Sequence, residues 1–192
     1  MRDVDSIFDE IRQMLGVCSS STGSVIATVA AGLPANQEIS KWLAALKGCD
    51  LLIPWSAEEL RLHGSKESLN DGQIGYRLDR AGRRLPDWPD EWLVLGAISG
   101  DPIIGEVSEN GCAILFARHG AGKWQAKVAS SSMEPFATVL LTWCDLFVQQ
   151  YSKDIYDDTF AIRPDFLAEL RQRIDQTLPV AEADVFMSMV DG

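Results

Sequence analysis

The 192-residue chain lacks long apolar runs, close cysteine pairs and histidine-rich segments. Its longest apolar stretches, residues 25–31 and 137–143, are far shorter than the roughly 18 residues that a membrane-spanning helix requires. The four cysteines include no Cys-x-x-Cys pair and have no histidine beside them, so the sequence predicts free thiols and no metal site. The acidic N-terminal segment has no long apolar region typical of a secretory signal. We expect a cytoplasmic protein that has no cofactor and does not bind membranes.

Catalytic motifs are scarce as well. Neither of the two histidines lies in a Gly-x-Ser-x-Gly motif or at a metal-ligand spacing. Residues 119–124 bear a faint likeness to a phosphate loop, but Ala117 replaces a required Gly and Trp124 replaces the Ser or Thr that would hold magnesium. Carboxylate pairs such as Asp90-Glu91 suit acid–base chemistry, yet such pairs arise by chance among 28 acidic residues. The sequence predicts a protein that is not an enzyme.

Positive charge is outnumbered, because 17 Lys and Arg face 28 Asp and Glu and leave a net charge of -11. Such a surface repels nucleic acid and attracts basic partners at low salt, although it can also serve solubility alone. The connection over residues 63–85 has no hydrophobic periodicity and contains the arginine-rich segment 77–84. We expect an irregular, partly mobile loop there, either functional or a surface insertion without consequence.

Hydrophobic periodicity predicts helices toward both ends of the chain. One helix is expected over residues 4–15, with Asp3 as N-cap and Gly16 as its stop, and a second begins near Pro34. A capping-box pattern in residues 56–59 predicts a short helix that ends at position 62. Three C-terminal elements follow from apolar spacing: a helix over residues 133–147, a helix that begins at Pro164, and a short apolar turn over residues 185–190.

The segment 88–136 has the pattern of an antiparallel meander, in which short apolar runs alternate with turns rich in Gly, Asp and Asn. Four strands are expected, over residues 92–98, 103–107, 113–118 and 123–129. In the last, Trp124, Ala126 and Val128 should face a core while the residues between them face water. Helices on both sides of such a meander describe one α+β domain over residues 1–192. Its central, mainly antiparallel, twisted sheet should have about four to six strands, packed by N-terminal and C-terminal helices.

The order of several short motifs resembles the SUKH superfamily. The motifs are Leu33-Pro34, Pro54-Trp55-Ser56-Ala57-Glu58-Glu59-Leu60, residues 88–92, Gly100-Asp101-Pro102-Ile103, His119-Gly120-x-Gly122-x-Trp124, and Ala129-Ser130 with Phe136. The resemblance is strongest over residues 53–150. The superfamily includes bacterial immunity proteins against secreted polymorphic toxins and relatives of fungal cell-wall synthesis regulators.

The resemblance implies an α+β domain that binds protein partners and has no common catalytic residue. In bacteria the typical partner is a toxin domain, often a nuclease or deaminase, that is neutralised in the producing cell. We therefore expect an immunity protein that binds its cognate toxin directly. A housekeeping regulatory or scaffold domain that binds an endogenous protein or small ligand is the alternative. The segment 77–84 and the tail beyond Tyr151 match no part of the family pattern.

Five residues near the turns of the meander form the candidate partner-binding set: Trp88, Asp90, Asp101, His119 and Trp124. The two tryptophans are either lids over the core or exposed contact residues, and His119 is either a contact or an ordinary hairpin residue. If exposed, the five could cluster at one end of the sheet as an aromatic and acidic patch suited to a basic toxin face. If the five residues serve only to build the fold, we expect partner specificity to reside instead in segment 77–84 and in the acidic residues of 154–158.

Overall fold

The computed structural model describes residues 2–16, 36–55, 58–109, 111–120 and 124–190. Within these residues six strands form one antiparallel sheet, and their order in space is their order along the chain. The strands are β1 (Leu51–Trp55), β2 (Glu58–Leu62), β3 (Trp92–Ile98), β4 (Asp101–Ser108), β5 (Gly111–Phe116) and β6 (Lys127–Ser130). The α-helices are α1 (Val4–Leu15), α2 (Gln37–Ala45), α3 (Lys66–Asp71), α4 (Met133–Cys144), α5 (Pro164–Ile174) and α6 (Val180–Val190). The predicted α+β fold is confirmed.

The meander is the best-predicted part of the sheet. β3 coincides with the predicted strand, and β4 and β5 differ from theirs by at most two residues at each end. β6 is shorter than predicted, and Val128 is exposed although it was expected to face a core with Trp124 and Ala126. The pairing of β5 with β6 shifts between Ile114 and Leu115, so regular alternation does not continue through β6.

The predicted helix over residues 56–62 is wrong. Residues 58–62 form β2, which pairs with both β1 and β3, whereas the proposed cap, Ser56, lies outside the described residues. Within β2, Leu60 and Leu62 are fully buried and Glu59 and Arg61 are exposed. This alternation of period two is the strand signal that competes with the capping pattern.

The N-terminal helices begin and end largely as predicted. α1 ends at Gly16, whose φ of 65° lies in the left-handed region that glycine adopts without strain. Asp3 occupies the N-cap position of α1, although its side chain makes no capping hydrogen bond. α2 begins after Asn36, whose side-chain oxygen accepts a hydrogen bond from the Glu38 amide at 2.7 Å. Pro34, the predicted start, lies outside the described residues.

The C-terminal helices cover one face of the sheet, as predicted. α4 continues into a π-helical turn over Asp145–Gln150, and α5 begins at Pro164. The last element is longer than the predicted turn, because α6 starts at Val180 and buries Ala183 and Phe186. The exposed Val180 and the acidic residues that follow it hid the helical spacing from the sequence pattern.

The main core lies between this face and the helices. Trp55 of β1 packs against Trp143 of α4 at a ring distance of 4.4 Å and against Phe186 of α6 at 5.5 Å. Cys112 and Cys144 are buried free thiols, and burial raises the pKa of each to about 12. Their thiolate forms are therefore scarce at neutral pH, as expected for structural cysteines.

The connection between β2 and β3 is more regular than predicted. It contains α3, which is capped by Ser65, and isolated bridges that join Ile74 to Leu78 and Leu78 to Arg84. Ser68 accepts the reciprocal capping hydrogen bond from the Ser65 amide, which the sequence pattern did not reveal. The expectation of an irregular connection is therefore wrong where α3 and these two bridges lie.

The same connection covers the second face of the sheet with a small apolar cluster. Its buried members are Trp88, Val94, Ile104, Leu115 and Ala117. Four aromatic side chains, Tyr76, Trp88, Trp92 and Trp124, belong to this cluster, and we call them the aromatic cluster. The sheet is thus covered by helices on one face and by an aromatic layer on part of the other.

Gln73 attaches this connection to the sheet. β2 stops pairing at Leu62, which faces Gly96 of β3, so the edge of β3 before that point has no neighbouring strand. The Gln73 side chain fills the gap: its amide nitrogen donates to the Val94 carbonyl at 2.9 Å, and its oxygen accepts from the Val94 amide at 3.1 Å. A buried carboxamide thus replaces a missing strand residue.

Candidate functional site

Trp88 is the centre of the aromatic cluster. Only 3% of its surface is exposed, and its indole nitrogen donates to the Trp92 carbonyl at 2.9 Å. The rings of Trp92, Tyr76 and Trp124 lie 5.7, 5.8 and 5.8 Å from it. These are ordinary aromatic packing distances, and they make Trp88 a lid on the second face.

Trp124 lies at the rim of the cluster. It is half-buried, and its ring contacts Tyr76 at 5.4 Å as well as Trp88. Trp92 and Tyr76 are also half-buried. A partner that approached the second face would therefore meet the edges of three aromatic rings, whereas Trp88 supports them from beneath.

Asp101 and His119 form a pair at the turn between β3 and β4. One carboxylate oxygen of Asp101 accepts a hydrogen bond from the His119 amide at 2.8 Å and contacts the imidazole Nδ1 at 2.5 Å. Asp101 is largely covered, whereas the His119 side chain is 64% exposed. Ser99 and Gly100 form the turn with positive φ angles of 46° and 92°, as in a tight hairpin.

Tyr76 connects this pair to the aromatic cluster. Its hydroxyl donates to the Gly100 carbonyl at 2.9 Å, and its ring packs on Trp88 and Trp124. Burial and the nearby charge of Asp101 raise the pKa of Tyr76, so its hydroxyl stays protonated as a donor. Four of the five candidate residues thus lie in one contact network, with Tyr76 as the link.

Asp90 lies apart from that network. It precedes β3, whereas Asp101 follows the far end of the same strand, and its carboxylate forms an ion pair with Arg84. Arg84 also donates to the Trp88 carbonyl at 3.3 Å. The structure therefore does not bring Asp90 to Asp101 and His119.

Asp90 belongs to a second charged region, where β3 begins and β4 ends. We call this region the acidic end, and it comprises Asp87, Asp90, Glu91, Glu106 and Glu109. Glu106 accepts a hydrogen bond from the indole nitrogen of Trp92 at 3.1 Å, which places it beside the aromatic cluster. Among the described residues only Asp90 of the five has an ion-pair partner. The acidic end therefore presents largely uncompensated negative charge.

Arg77 is the second cation near the acidic end. It is half-buried, and its Nε has no hydrogen-bond partner among the described residues. Burial and the neighbouring charge of Arg84 lower the pKa of Arg77, while Asp90 opposes them. In segment 77–84, Arg77 is thus partly buried by packing, and Arg84 is engaged in the ion pair with Asp90.

Tyr76 and Trp92 are the members of the site that sequence reasoning missed. Tyr76 is the only Phe, Trp or Tyr of residues 63–85, and this was the available signal. Trp92 was assigned only to a buried strand. Its half-buried ring and its bond to Glu106 depend on pairing between β3 and β4 that no local pattern reveals.

A separate polar group surrounds the buried His63. Ser68 donates to Asp50 at 2.5 Å, and the same carboxylate oxygen accepts from the Gly64 amide at 2.9 Å. His63 Nδ1 has no partner in the described part of the chain, and burial lowers the pKa of His63. Because the serine bonds to the carboxylate and not to the imidazole, this group does not have the geometry of a Ser-His-Asp triad.

The described residues contain neither a metal-binding group nor a membrane-spanning helix. No group of three or more His, Cys, Asp or Glu residues there is placed to hold a metal ion. Nor does that part of the chain contain a helix long and apolar enough to cross a membrane. No family model matches the chain, and no curated protein or solved structure is significantly similar to it.

Proposed function

We propose that this chain is a protein-binding module related to the SUKH superfamily, acting as a bacterial immunity protein. It would neutralise a cognate toxin domain in the cytoplasm of the producing cell by direct binding, without catalysis. Two observations support the proposal: the order of the SUKH-like motifs over residues 53–150, and an α+β fold built on an antiparallel sheet.

The acidic end is the structural feature that best supports the proposal. It comprises five carboxylates, of which Glu106 accepts a hydrogen bond from the half-buried Trp92 and Asp90 alone pairs with an arginine among the described residues. Negative charge of this kind accelerates encounter with a basic surface, and the aromatic edges add apolar contact once the surfaces meet. A basic nuclease or deaminase face would be complementary to this arrangement.

The candidate residues take different parts in this proposal. Asp90 belongs to the charged surface, whereas Trp124, Asp101 and His119 form the rim at the other end of the second face. Trp88 holds the cover in place and does not contact the toxin, because its ring is buried. Truncation of Trp88 should therefore lower stability more than affinity.

Co-expression with the toxin domain encoded beside the chain tests the proposal. Growth should be rescued, and the two proteins should elute together from a sizing column. Failure of both results would reject an immunity function. Co-purification of a housekeeping protein from the native cell instead would favour the regulatory or scaffold alternative.

A matched pair of variants tests the part played by the acidic end. Glu91→Lys with Glu109→Lys reverses two charges there, and Asp5→Lys with Glu58→Lys reverses two exposed charges elsewhere that have no ion-pair partner among the described residues. Both double variants have the same net charge. We expect the association rate to fall at least about tenfold for the first pair and less than about twofold for the second. Equal effects would assign the attraction to net charge alone.

A further inference from the structure

The loop over residues 154–163, which we call the Phe160 loop, is held firmly at its base. Ile155 is fully buried, and Tyr156 and Ile162 pack against the main core and form a bridge with each other. The Arg163 amide donates to the Ile155 carbonyl at 2.9 Å. Both ends of the loop are therefore attached to the folded core.

The tip of the loop is fixed by one carboxylate. Asp157 Oδ1 accepts hydrogen bonds from the Thr159 amide at 2.8 Å, the Thr159 hydroxyl at 2.6 Å and the Ala161 amide at 3.2 Å. The Asp157 amide in turn donates to the Ala161 carbonyl at 2.9 Å. The bonds from Thr159, and less strongly that from Ala161, lower the pKa of Asp157, so the carboxylate remains charged and in place.

Phe160 lies at this tip, and no contact with another described residue accounts for the position of its side chain. It is 88% exposed, more than Val180 at 66%, the next most exposed large hydrophobic residue described. Its φ of 62° lies in the left-handed region, where glycine or asparagine is favoured and a phenylalanine is strained. Within the part of the chain that the structure describes, neither packing nor backbone geometry accounts for an aromatic side chain at this position.

We propose that the Phe160 loop is a protein-contact loop whose ring enters an apolar pocket rimmed by lysine or arginine on the partner. Asp158 is exposed near this tip, and Asp154 is 80% exposed although it pairs with Arg163 at 3.6 Å; this acidic side of the loop suits a cationic rim and opposes an anionic membrane surface. The fixed backbone lowers the entropy lost on binding, and a buried aromatic ring is a common source of affinity.

The inference rests on the proposed function, because it takes the partner to be the toxin domain. The loop lies beyond residues 53–150, where the SUKH-like motifs are found, so it belongs to the part of the chain without family counterpart. An element that distinguishes one partner from another is expected in such a part. The acidic end would govern the association rate, and Phe160 would govern the rate of dissociation.

Titration calorimetry with the co-expressed toxin domain tests the loop. Phe160→Gly should weaken binding about 30-fold, the usual effect of removing a buried contact residue, while the thermal midpoint stays equal or rises. Phe160→Leu should weaken binding less, because it keeps apolar volume. Val180→Ala, which trims the other highly exposed apolar side chain, should change affinity less than about twofold.

Each remaining outcome overturns a stated claim. An affinity for Phe160→Gly within about threefold of the parent overturns the inference alone, whereas absence of any complex with the parent chain overturns the proposed function and the inference together. Self-association of the parent chain that Phe160→Gly abolishes would make the occupant a second copy. Binding to phosphatidylcholine vesicles that the same variant abolishes would make it a lipid surface. Both results would overturn the assignment to a basic protein pocket.

Discussion

Replacement of Gln73 by leucine should detach the cover of the second face from the sheet. Gln73 is 2% exposed, and its side chain makes three hydrogen bonds, to the Leu69 carbonyl at 2.7 Å and to both backbone groups of Val94. Leucine has a similar volume but neither donor nor acceptor. The variant therefore leaves the Val94 amide and two carbonyls without these partners in a buried region.

The size of the effect follows from these groups. An unpaired buried amide costs about 1–3 kcal/mol, and the two carbonyls add a smaller cost. The apolar burial of the leucine side chain offsets about 1 kcal/mol of this total. We expect the free energy of unfolding to fall by about 3 kcal/mol. In a chain of this size that corresponds to a decrease of about 6–12 °C in the thermal midpoint.

Urea denaturation followed by tryptophan fluorescence measures this change, because Trp88 and Trp92 lie in the same cover. Gln172→Leu, a matched change at an exposed position of α5, should cost less than about 0.5 kcal/mol. Gln73→Glu keeps the acceptor but points a carboxylate oxygen at two carbonyls. The loss of unfolding free energy in this variant should grow as the pH rises above about 4.3, because the folded state favours the protonated acid over the carboxylate.

A loss below about 1 kcal/mol for Gln73→Leu would contradict the assigned role, and so would a Gln73→Glu cost that does not depend on pH. Either result would mean that water or a backbone shift satisfies Val94 in the variant. The cover would then be held chiefly by apolar contact.

Three other predictions concern single positions. Burial lowers the pKa of His63, so the unfolded chain binds a proton at this residue more readily than the folded chain does. The free energy of unfolding should therefore fall as the pH drops below about 6.5. In urea titrations, the His63→Gln variant should lack this part of the pH dependence. Gly96→Ala would place a Cβ 2.3 Å from the Arg61 carbonyl oxygen and should lower the free energy of unfolding by about 1–3 kcal/mol. An unchanged thermal midpoint in calorimetry would contradict the close approach of β2 and β3. Phe160→Gly should raise unfolding free energy by about 1 kcal/mol, and a decrease would show that the ring has a contact within the chain.

Local sequence predicted the central strands because their signals do not depend on distant residues. Residues 92–98 are a nearly continuous apolar run bounded by turn-forming residues, and the Asn110-Gly111 pair is a strong sequence cue for the next hairpin. β2 was mistaken for a helix because the capping pattern of residues 56–59 is equally local, whereas its strand pairing to β3 is not. The choice between the two structures is made by tertiary contact.

The candidate site was only partly predictable, and the reason is geometric. Successive turns of a meander lie at opposite ends of the sheet, so Asp90, just before β3, and Asp101, the first residue of β4, are separated by the length of a strand. The contact of Trp88 with Trp124 requires the connection after β2 to fold back over the second face. Tyr76, which links the parts, lies in a stretch without hydrophobic periodicity, so no pattern selected it.

The sequential order of the strands has a consequence for how the chain folds. Every strand pairs with its neighbour along the chain, so most of the sheet can form by successive closure of short loops. α1 depends in part on a distant element, because it packs against α4 as well as against the nearer α2, and residues 16–132 separate α1 from α4. Phe8 on the apolar face of α1 can pack early against Trp42 of α2, at a ring distance of 5.7 Å, but the cover that α4 supplies must wait until α4 has been synthesised. During translation, the first of the described helices is thus only partly covered until α4 emerges, and its remaining apolar surface stays open to chaperones and to aggregation.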